Sequence, residues 1–523
     1  VRAVVSVTGT RNVTRAFALI LTALVAATPL SAQEVAADDQ PMSAIPWLTD
    51  SLTAPVALPV PAEPGISTNP GIEPITTTPI GQTVPDAVGL LPSAISGLDP
   101  KLWGPTPAAA LAQAISAEAP EMVPALQEIR NRLLLAELDP PFDADASGVL
   151  FRARIDKLLD LGAMDEALSL LERAGPATPT LFPRYFDVAL LTGTEDRACQ
   201  YLQATPTLSP TYPVRIFCQA RTGDWNGAVL TLTSARAIGL LDDVEFNLLA
   251  RFLDPELFGE ETIPPLPRQI TPLIFLLLDA VDEPLPTTDL PRAFAFTDLQ
   301  QTRGWKAQIE AAERLVRAGA IDPARLIALY TYQKPAASGG VWDRAAALQA
   351  VEAALNDPGT LSVALPRAWS LMQEAGLLIV LSNFVNGRIK PDGLTPEASD
   401  LTFKLAMLGP GYEAWALDHP AETPEQSVLA AIARGQSTAD TTSPKATAAL
   451  AAFAATDMPQ PLKSLTDADR KGEAILSAIR MVTMGAAGEF DEFADGLAGL
   501  RALGLESTAR RAALQSLILD QRG

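Results

Sequence analysis

Histidine and cysteine are nearly missing from this chain. Among 523 residues there is one His, His419, and there are two Cys, Cys199 and Cys218. Zinc enzymes, haem proteins and iron–sulfur proteins need several such ligands, and a His-based triad needs a His beside its nucleophile. Those classes are nearly excluded, no catalytic or metal-ligating set stands out, and no cofactor is expected. Aromatic residues make up 6% and charged residues 19%, against a hydrophobic fraction of 48%. Long apolar runs are lacking beyond the amino terminus. The best, over 270–280 and 377–385, fall short of the roughly 18–20 residues of a membrane-spanning helix, so no transmembrane segment is expected in the mature chain. Basic charge is in deficit: 39 Lys and Arg against 61 Asp and Glu leave a net charge of −22. Such a surface repels nucleic acid and anionic headgroups, so no nucleic-acid partner is expected.

The amino terminus has the build of an export signal. Arg11 and Arg15 precede a twelve-residue apolar run over 16–27, Pro29 breaks it, and Leu30-Ser31-Ala32 supplies small residues for cleavage near Ala32. A buried amino-terminal helix is the alternative. Residues 1–32 are read as a signal peptide, which places the mature chain in the periplasm or outside the cell, where disulfides persist. Over 33–107 proline is dense, with 14 in the 67 residues from 41 to 107. Proline removes amide donors and biases its neighbour away from helix, so this stretch reads as a disordered, semi-extended linker. Trp47 and Trp103 sit in two apolar islands of it, as candidate docking points for a partner. Packing onto the chain's own first helices is the alternative for both.

From residue 108 helix signals dominate, with abundant Ala, Leu, Glu and Arg and no sustained Val/Ile/Thr alternation. Helices of about 10–16 residues follow one another across short Gly, Pro and Asp turns, which predicts an all-α fold of antiparallel helix pairs. A spaced pattern recurs three times: Gly162-Ala167-Leu171-Ala174, Gly193-Ala198-Leu202-Thr205 and Gly223-Ala228-Leu232-Ala235, with glycines 31 and 30 residues apart. The Gly ends the first helix of a pair, the Ala lies at the closest crossing, the Leu fills the groove, and the last small residue lets the next pair pack. Weaker echoes begin at Gly319, Gly409 and Gly504. The pattern resembles the tetratricopeptide repeat, and that resemblance implies an α-solenoid. The expected domains are helical repeats over 108–259, a Pro-rich boundary with one apolar helix over 260–302, and further repeats over 303–523.

In the repeat register Cys199 lies on the second helix of one pair and Cys218 on the first helix of the next. Neighbouring helices bring Cα atoms within reach of a disulfide, and a bridge is expected, two buried thiols being the alternative. Other chemistry is weak. His419 precedes Pro420 at a helix end and reads as a surface or capping residue. Gly339 and Gly340 before Asp343 read as a turn. Glu506-Ser507 is like the Glu-Ser pair of lytic transglycosylases but lacks the family's downstream motif. Asp242-Asp243 and Glu260-Glu261 read as solvated pairs.

An export signal, a Pro/Thr-rich linker and an acidic helical-repeat body together resemble the layout of periplasmic motility proteins of alphaproteobacteria, the MotC and MotK type. The stretch Gly304–Leu355 is similar to secreted helical proteins of that group. The resemblance implies a non-catalytic periplasmic scaffold mediating protein–protein contacts, with envelope or flagellar motor proteins as partners. A glycan-acting periplasmic enzyme and a soluble ligand-binding protein are the alternatives.

Overall fold

The computed structural model describes residues 84–209, 211–258 and 263–519. The signal over 1–32, the cleavage site at Ala32, Trp47, the linker as far as residue 83 and the pair Glu260-Glu261 lie outside the described residues. The described residues belong to one compact unit and are all-helical, with no strand among them. An isolated bridge joins Leu91 to Ala136.

Many helices begin at a capping residue followed by proline. Thr271-Pro272, Asp322-Pro323, Thr395-Pro396, Thr423-Pro424 and Ser443-Pro444 each place a side-chain oxygen on an N–H of the first turn and a Pro at the first helical position. The Pro lacks the N–H that would go unpaired there, and its fixed φ suits the helix.

The linker reading over 33–107 fails from residue 84 onward. Pro85 opens a 3-10 turn, Pro92 and Pro107 stand immediately before helices Ser93–Ser96 and Ala108–Ala117, and Leu98 and Leu102 are buried. Proline density marks helix starts here, and the packed body begins before residue 108. Asp86 accepts the N–H of Phe151 at 2.7 Å and so caps helix Val149–Leu161 from a distance. Leu90 N–H donates to Leu135 O at 2.7 Å, and Glu137 N–H donates to Leu91 O at 2.9 Å. Backbones approach so closely that a Cβ on Gly89 would lie 2.3 Å from Glu137 N. Beneath them the buried guanidinium of Arg154 donates to Leu134 O (2.7 Å), Val88 O (2.7 Å) and Ala136 O (3.1 Å).

Helix Pro124–Leu135 carries these contacts further. The Arg130 guanidinium, also buried, donates to Ala119 O and Pro120 O and, at 2.8 Å, to Ala318 O. Asn131 and Gln127 donate to the carbonyls of Gly319 and Arg317 at the end of helix Trp305–Arg317. Ala125 N–H donates to Gln515 Oε1 at 2.7 Å and Glu128 pairs with Arg511 at 2.5 Å, both on the last helix, Glu506–Leu519. A stack in which each repeat touches only its neighbours makes no such contacts.

Three helix pairs follow: Val149–Leu161 with Met164–Ala174, Phe182–Thr192 with Glu195–Ala204, and Tyr212–Arg221 with Trp225–Ala237, each helix packed on the next. Gly162, Gly193 and Gly223 turn the chain with φ of +84°, +74° and +89°. A Cβ on Gly162 would also meet Leu315 Cδ2 at 2.4 Å. Ala167, Ala198 and Ala228 are buried, as are Leu171, Leu202 and Leu232. The fourth position of the pattern differs: Ala235 is buried, but Ala174 is half-buried and Thr205 exposed, because both stand where their helices end. The later echoes diverge. After Gly319 and Gly409, Ala324, Ala328 and Ala414 are exposed, and Leu326, Tyr330, Tyr412 and Ala416 face the core instead. After Gly504, Ala509, Ala513 and Ser516 are all buried. The segment read as a boundary, 260–302, packs inward. Helix Pro272–Ala280 lies against Phe182–Thr192 and Asp243–Leu253, while helix Arg292–Ala295 lies against Val149–Leu161 and Trp305–Arg317. One continuous core therefore spans what the sequence divides into three.

Glu118 is buried beside Arg130 and Lys157. Burial pushes its carboxyl up to about 7, and the two cations oppose that shift without overcoming it. A carboxyl whose folded pKa is raised contributes stability that is fully present below its unfolded value, near 4.5, and lost as pH rises through about 7. Wild type should lose about 3 kcal/mol over that window from this group, and Glu118→Gln should flatten the slope, read from urea midpoints at about pH 5 and about pH 8. Replacing Arg154 with Met strands three buried carbonyls and should cost about 3 kcal/mol or more, read from the same denaturation curves.

Candidate interaction surface

Helix Trp225–Ala237 is apolar on more than its buried side. Asp224 caps it, accepting the Gly227 N–H at 3.0 Å. Ala228, Leu232 and Ala235 face the core. Trp225, Val229 and Leu230 point outward, followed by Ile238 and Leu240 beyond the helix end; Leu230 is 68% exposed and Ile238 67%. Asn226 and Ser234 are exposed between these apolar side chains. Thr231 and Thr233 donate to their own helix, at Gly227 O and Val229 O. Arg236 is the one charged residue between Trp225 and Leu240. It pairs with Asp243 at 2.6 Å and lies over the Phe246 ring. The result is an exposed apolar face with its single charge engaged, on a chain of net charge −22. A cluster of exposed large apolar side chains on one helix is a candidate interaction site.

The face is backed by a relay of rings. Phe182 meets Phe186, Phe186 meets Phe217, Phe217 meets Phe252, and Phe252 meets Trp225, with centroids 5.7–6.2 Å apart. Offset and edge-on contacts of this kind hold ring positions firmly.

Cys199 and Cys218 form a disulfide with Cα atoms 4.9 Å apart. It joins helix Glu195–Ala204 to helix Tyr212–Arg221, on which the apolar helix rests. Beside the sulfurs lies an open recess of about 440 Å³, bordered by Leu202, Pro206, Tyr212 and Arg215 and reaching Asp224 and Thr231 of the third pair. Gln219 Oε1, also at this recess, is buried without a partner.

Trp103 does not serve as a docking point. It is 3% exposed and lies against helix Lys471–Gly485, where a Cβ on Gly472 would meet Trp103 Cε3 at 2.5 Å. Its apolar neighbours Leu98 and Leu102 are buried in the same core, so the island packs on its own chain.

His419 stacks on Trp415 with centroids 3.8 Å apart and its Nδ1 lies 3.1 Å from Trp415 O. Gly339 and Gly340 form the turn before helix Val341–Ala354, with Asp343 in its first turn. Burial works against ionisation of Glu506, but the guanidiniums of Arg510 and Arg501 outweigh it and hold the carboxyl below its ordinary range. Asp242 caps helix Asp243–Leu253 in a reciprocal box with Glu245. Each of these side chains has a structural occupation. Among the described residues no group of three or more His, Cys, Asp or Glu is placed to hold a metal ion, and no helix is long and apolar enough to cross a membrane.

Sequence reasoning missed the apolar face. Its signal was present: Val229, Leu230 and Leu232 cannot share one face of a helix, so an apolar residue had to point outward. Compared with known proteins, the chain matches no family model, no curated protein and no solved structure.

The bridge closes a loop of roughly 20 residues and should stabilise the fold by about 3 kcal/mol on the chain-entropy model. Cys199→Ala with Cys218→Ala should lower the denaturation midpoint accordingly, and thiol labelling of unfolded, unreduced wild type should find no free Cys. An unchanged midpoint would mean that the bridge adds nothing to stability.

Proposed function

We propose that this chain is an exported, non-catalytic scaffold of the cell envelope, whose three tetratricopeptide-like helix pairs sit in a larger helical body and hold a partner protein on the apolar face of the third pair. The exposure of Leu230 and Ile238 on a face whose one charge is already paired carries this reading. Desolvating that face costs no buried charge, and its rigid backing means little ordering is needed on binding. The partner it fits presents an uncharged apolar segment, since an acidic or basic one would leave its charge unpaired there. The disulfide supports a periplasmic location, because such bridges persist in oxidising compartments. The resemblance to alphaproteobacterial motility proteins makes the periplasmic proteins beside the flagellar stator the first partners to test.

A photo-crosslinking residue at position 230, expressed in cells, should give one adduct with an envelope protein. The same residue at the exposed position of Val363 should give none. Leu230→Asp combined with Ile238→Asp should change the melting temperature little, since both side chains are exposed, and should abolish the adduct formed from position 229. An adduct to this chain's own residues 42–83, to a second copy, or none at all would overturn the partner reading.

A further inference from the structure

A second feature lies apart from the apolar face. Helix Pro124–Leu135, the ends of helices Trp305–Arg317 and Lys471–Gly485, the start of Leu378–Val385 and the last helix, Glu506–Leu519, border an open cavity of about 370 Å³. That volume falls within the range of small-molecule sites. Most of the wall is apolar, with Met122, Leu126, Val316, Ile379, Val482 and Leu519 contributing.

Glu121, Gln127, Gln373 and Thr483 also line it, each paired or hydrogen-bonded, and two further polar residues, Ser516 and Arg317, stand apart from them. Ser516 is 1% exposed, and its Oγ makes no hydrogen bond. A serine inside a helix ordinarily donates back to the carbonyl four residues earlier, as Thr483 does across the same cavity to Ile479 O. A buried hydroxyl without a partner is costly, and this one borders the cavity without being open to it, so a group inside the cavity meets it by a turn of the side chain about χ1. The second is Arg317, half-buried, whose Nη1 donates to Ala375 O at 3.2 Å. Among the described residues no carboxylate pairs with it. The one acid on the same wall, Glu121, is taken by Arg292 at 2.9 Å. An unpaired guanidinium at the edge of an apolar cavity, in a chain with 61 acidic side chains, is selective for an anion with an apolar body.

We propose that this cavity binds a small amphiphile with one anionic head and an apolar body, of the medium-chain carboxylate class. Arg317 supplies the charge that meets the head. Ser516 supplies a hydrogen-bond donor from the wall, and the surrounding Leu, Ile, Val and Met side chains take up the chain. This site is independent of the apolar face around Leu230, and either can fail without the other.

Titration calorimetry on the full chain, with dodecanoate, dodecanol and dodecyltrimethylammonium as probes, tests the proposal. Dodecanoate should bind with one-to-one stoichiometry and at least about tenfold more tightly than the other two, the discrimination given by a charge-assisted contact. Arg317→Gln keeps a donor for Ala375 O and should collapse that preference to near unity, while Ser516→Ala should weaken dodecanoate by about threefold. Ala486→Phe, which fills the cavity, should abolish binding in a protein that still melts cooperatively. Leu230→Asp should leave dodecanoate affinity unchanged. Equal affinity for the three probes in wild type would overturn the proposal. So would retained binding in Ala486→Phe, or loss of binding in Leu230→Asp, which would put the amphiphile on the exposed face. If removing residues 520–523 tightened dodecanoate binding by more than about tenfold, the chain's own last residues would be the occupant and the proposal would fail.

Discussion

Three backbone carbonyls, those of Val88, Leu134 and Ala136, point into the core near one end of helix Pro124–Leu135, and the guanidinium of Arg154 meets all three. The last carbonyls of a helix have no partner within it. The site is buried, so each would otherwise carry the penalty of an unmade hydrogen bond. Arg is suited to the task, with five donors in a planar fork. Burial pushes its pKa down to about 10, with only the Asp86 charge opposing, and it stays protonated at neutral pH. Once that end of the helix is fixed, its other side is presented to both the middle and the last part of the chain. Arg130 repeats the device on the carbonyls of Ala119, Pro120 and Ala318.

The consequence is a body whose stability is not local. Ala125 and Gln515 are joined by a hydrogen bond across 390 residues of sequence. Residues near the start of the described chain must therefore wait for the last helix before their donors and acceptors are all paired. A simple repeat array can nucleate anywhere and extend. Here contacts between distant parts of the chain close a long loop, and non-local contacts of that kind lower the expected folding rate. Within the later half, Glu313 acts as a further tie. It is buried, accepts the Tyr330 hydroxyl at 2.6 Å, and takes two donors of Arg344 at 2.8 and 2.6 Å, so that three helices share one carboxylate.

The helical class, the turn glycines and the bridging pair of cysteines are legible in the sequence because each rests on near neighbours. Gly162, Gly193 and Gly223 need left-handed φ, and that requirement shows as a residue type at a spacing. Proline was the ambiguous signal. The same residue that extends a linker also begins a helix, and Thr, Asp or Ser immediately before it tells the two apart, as Thr271, Asp322 and Ser443 show. Pro85 and Pro92 lack that companion, and Thr106 before Pro107 makes no capping hydrogen bond, so residues 84–107 look like linker although they are packed. The Arg154 clamp, the contact between Trp103 and Gly472, and the cavity beside Ser516 are set by residues distant in sequence. No local pattern marks them. The register after Gly319 and Gly409 also escapes, because the Gly that ends a helix does not dictate which side of the next helix turns inward; there Leu326 and Tyr412, two residues away from the small positions, take the core.

The third helix pair explains why the disulfide lies where it does. Helix Trp225–Ala237 buries three side chains, two of them alanines, whereas helix Val149–Leu161 buries nine. Burial scales with apolar area, so this pair gains least from the hydrophobic effect among the three. An outward apolar face and a deep inward one compete for the same residues on a helix of this length, and here the outward face has taken Val229 and Leu230. The loss is offset one helix back. The bridge holds Tyr212–Arg221 to its predecessor, and the ring relay through Phe217 and Phe252 ends on Trp225. The exposed apolar side chains are thus carried on a platform secured by covalent and aromatic contacts beneath them. Under the proposed function, the net charge of −22 adds selection by exclusion: anionic competitors are repelled at long range, while a neutral apolar segment meets no such barrier.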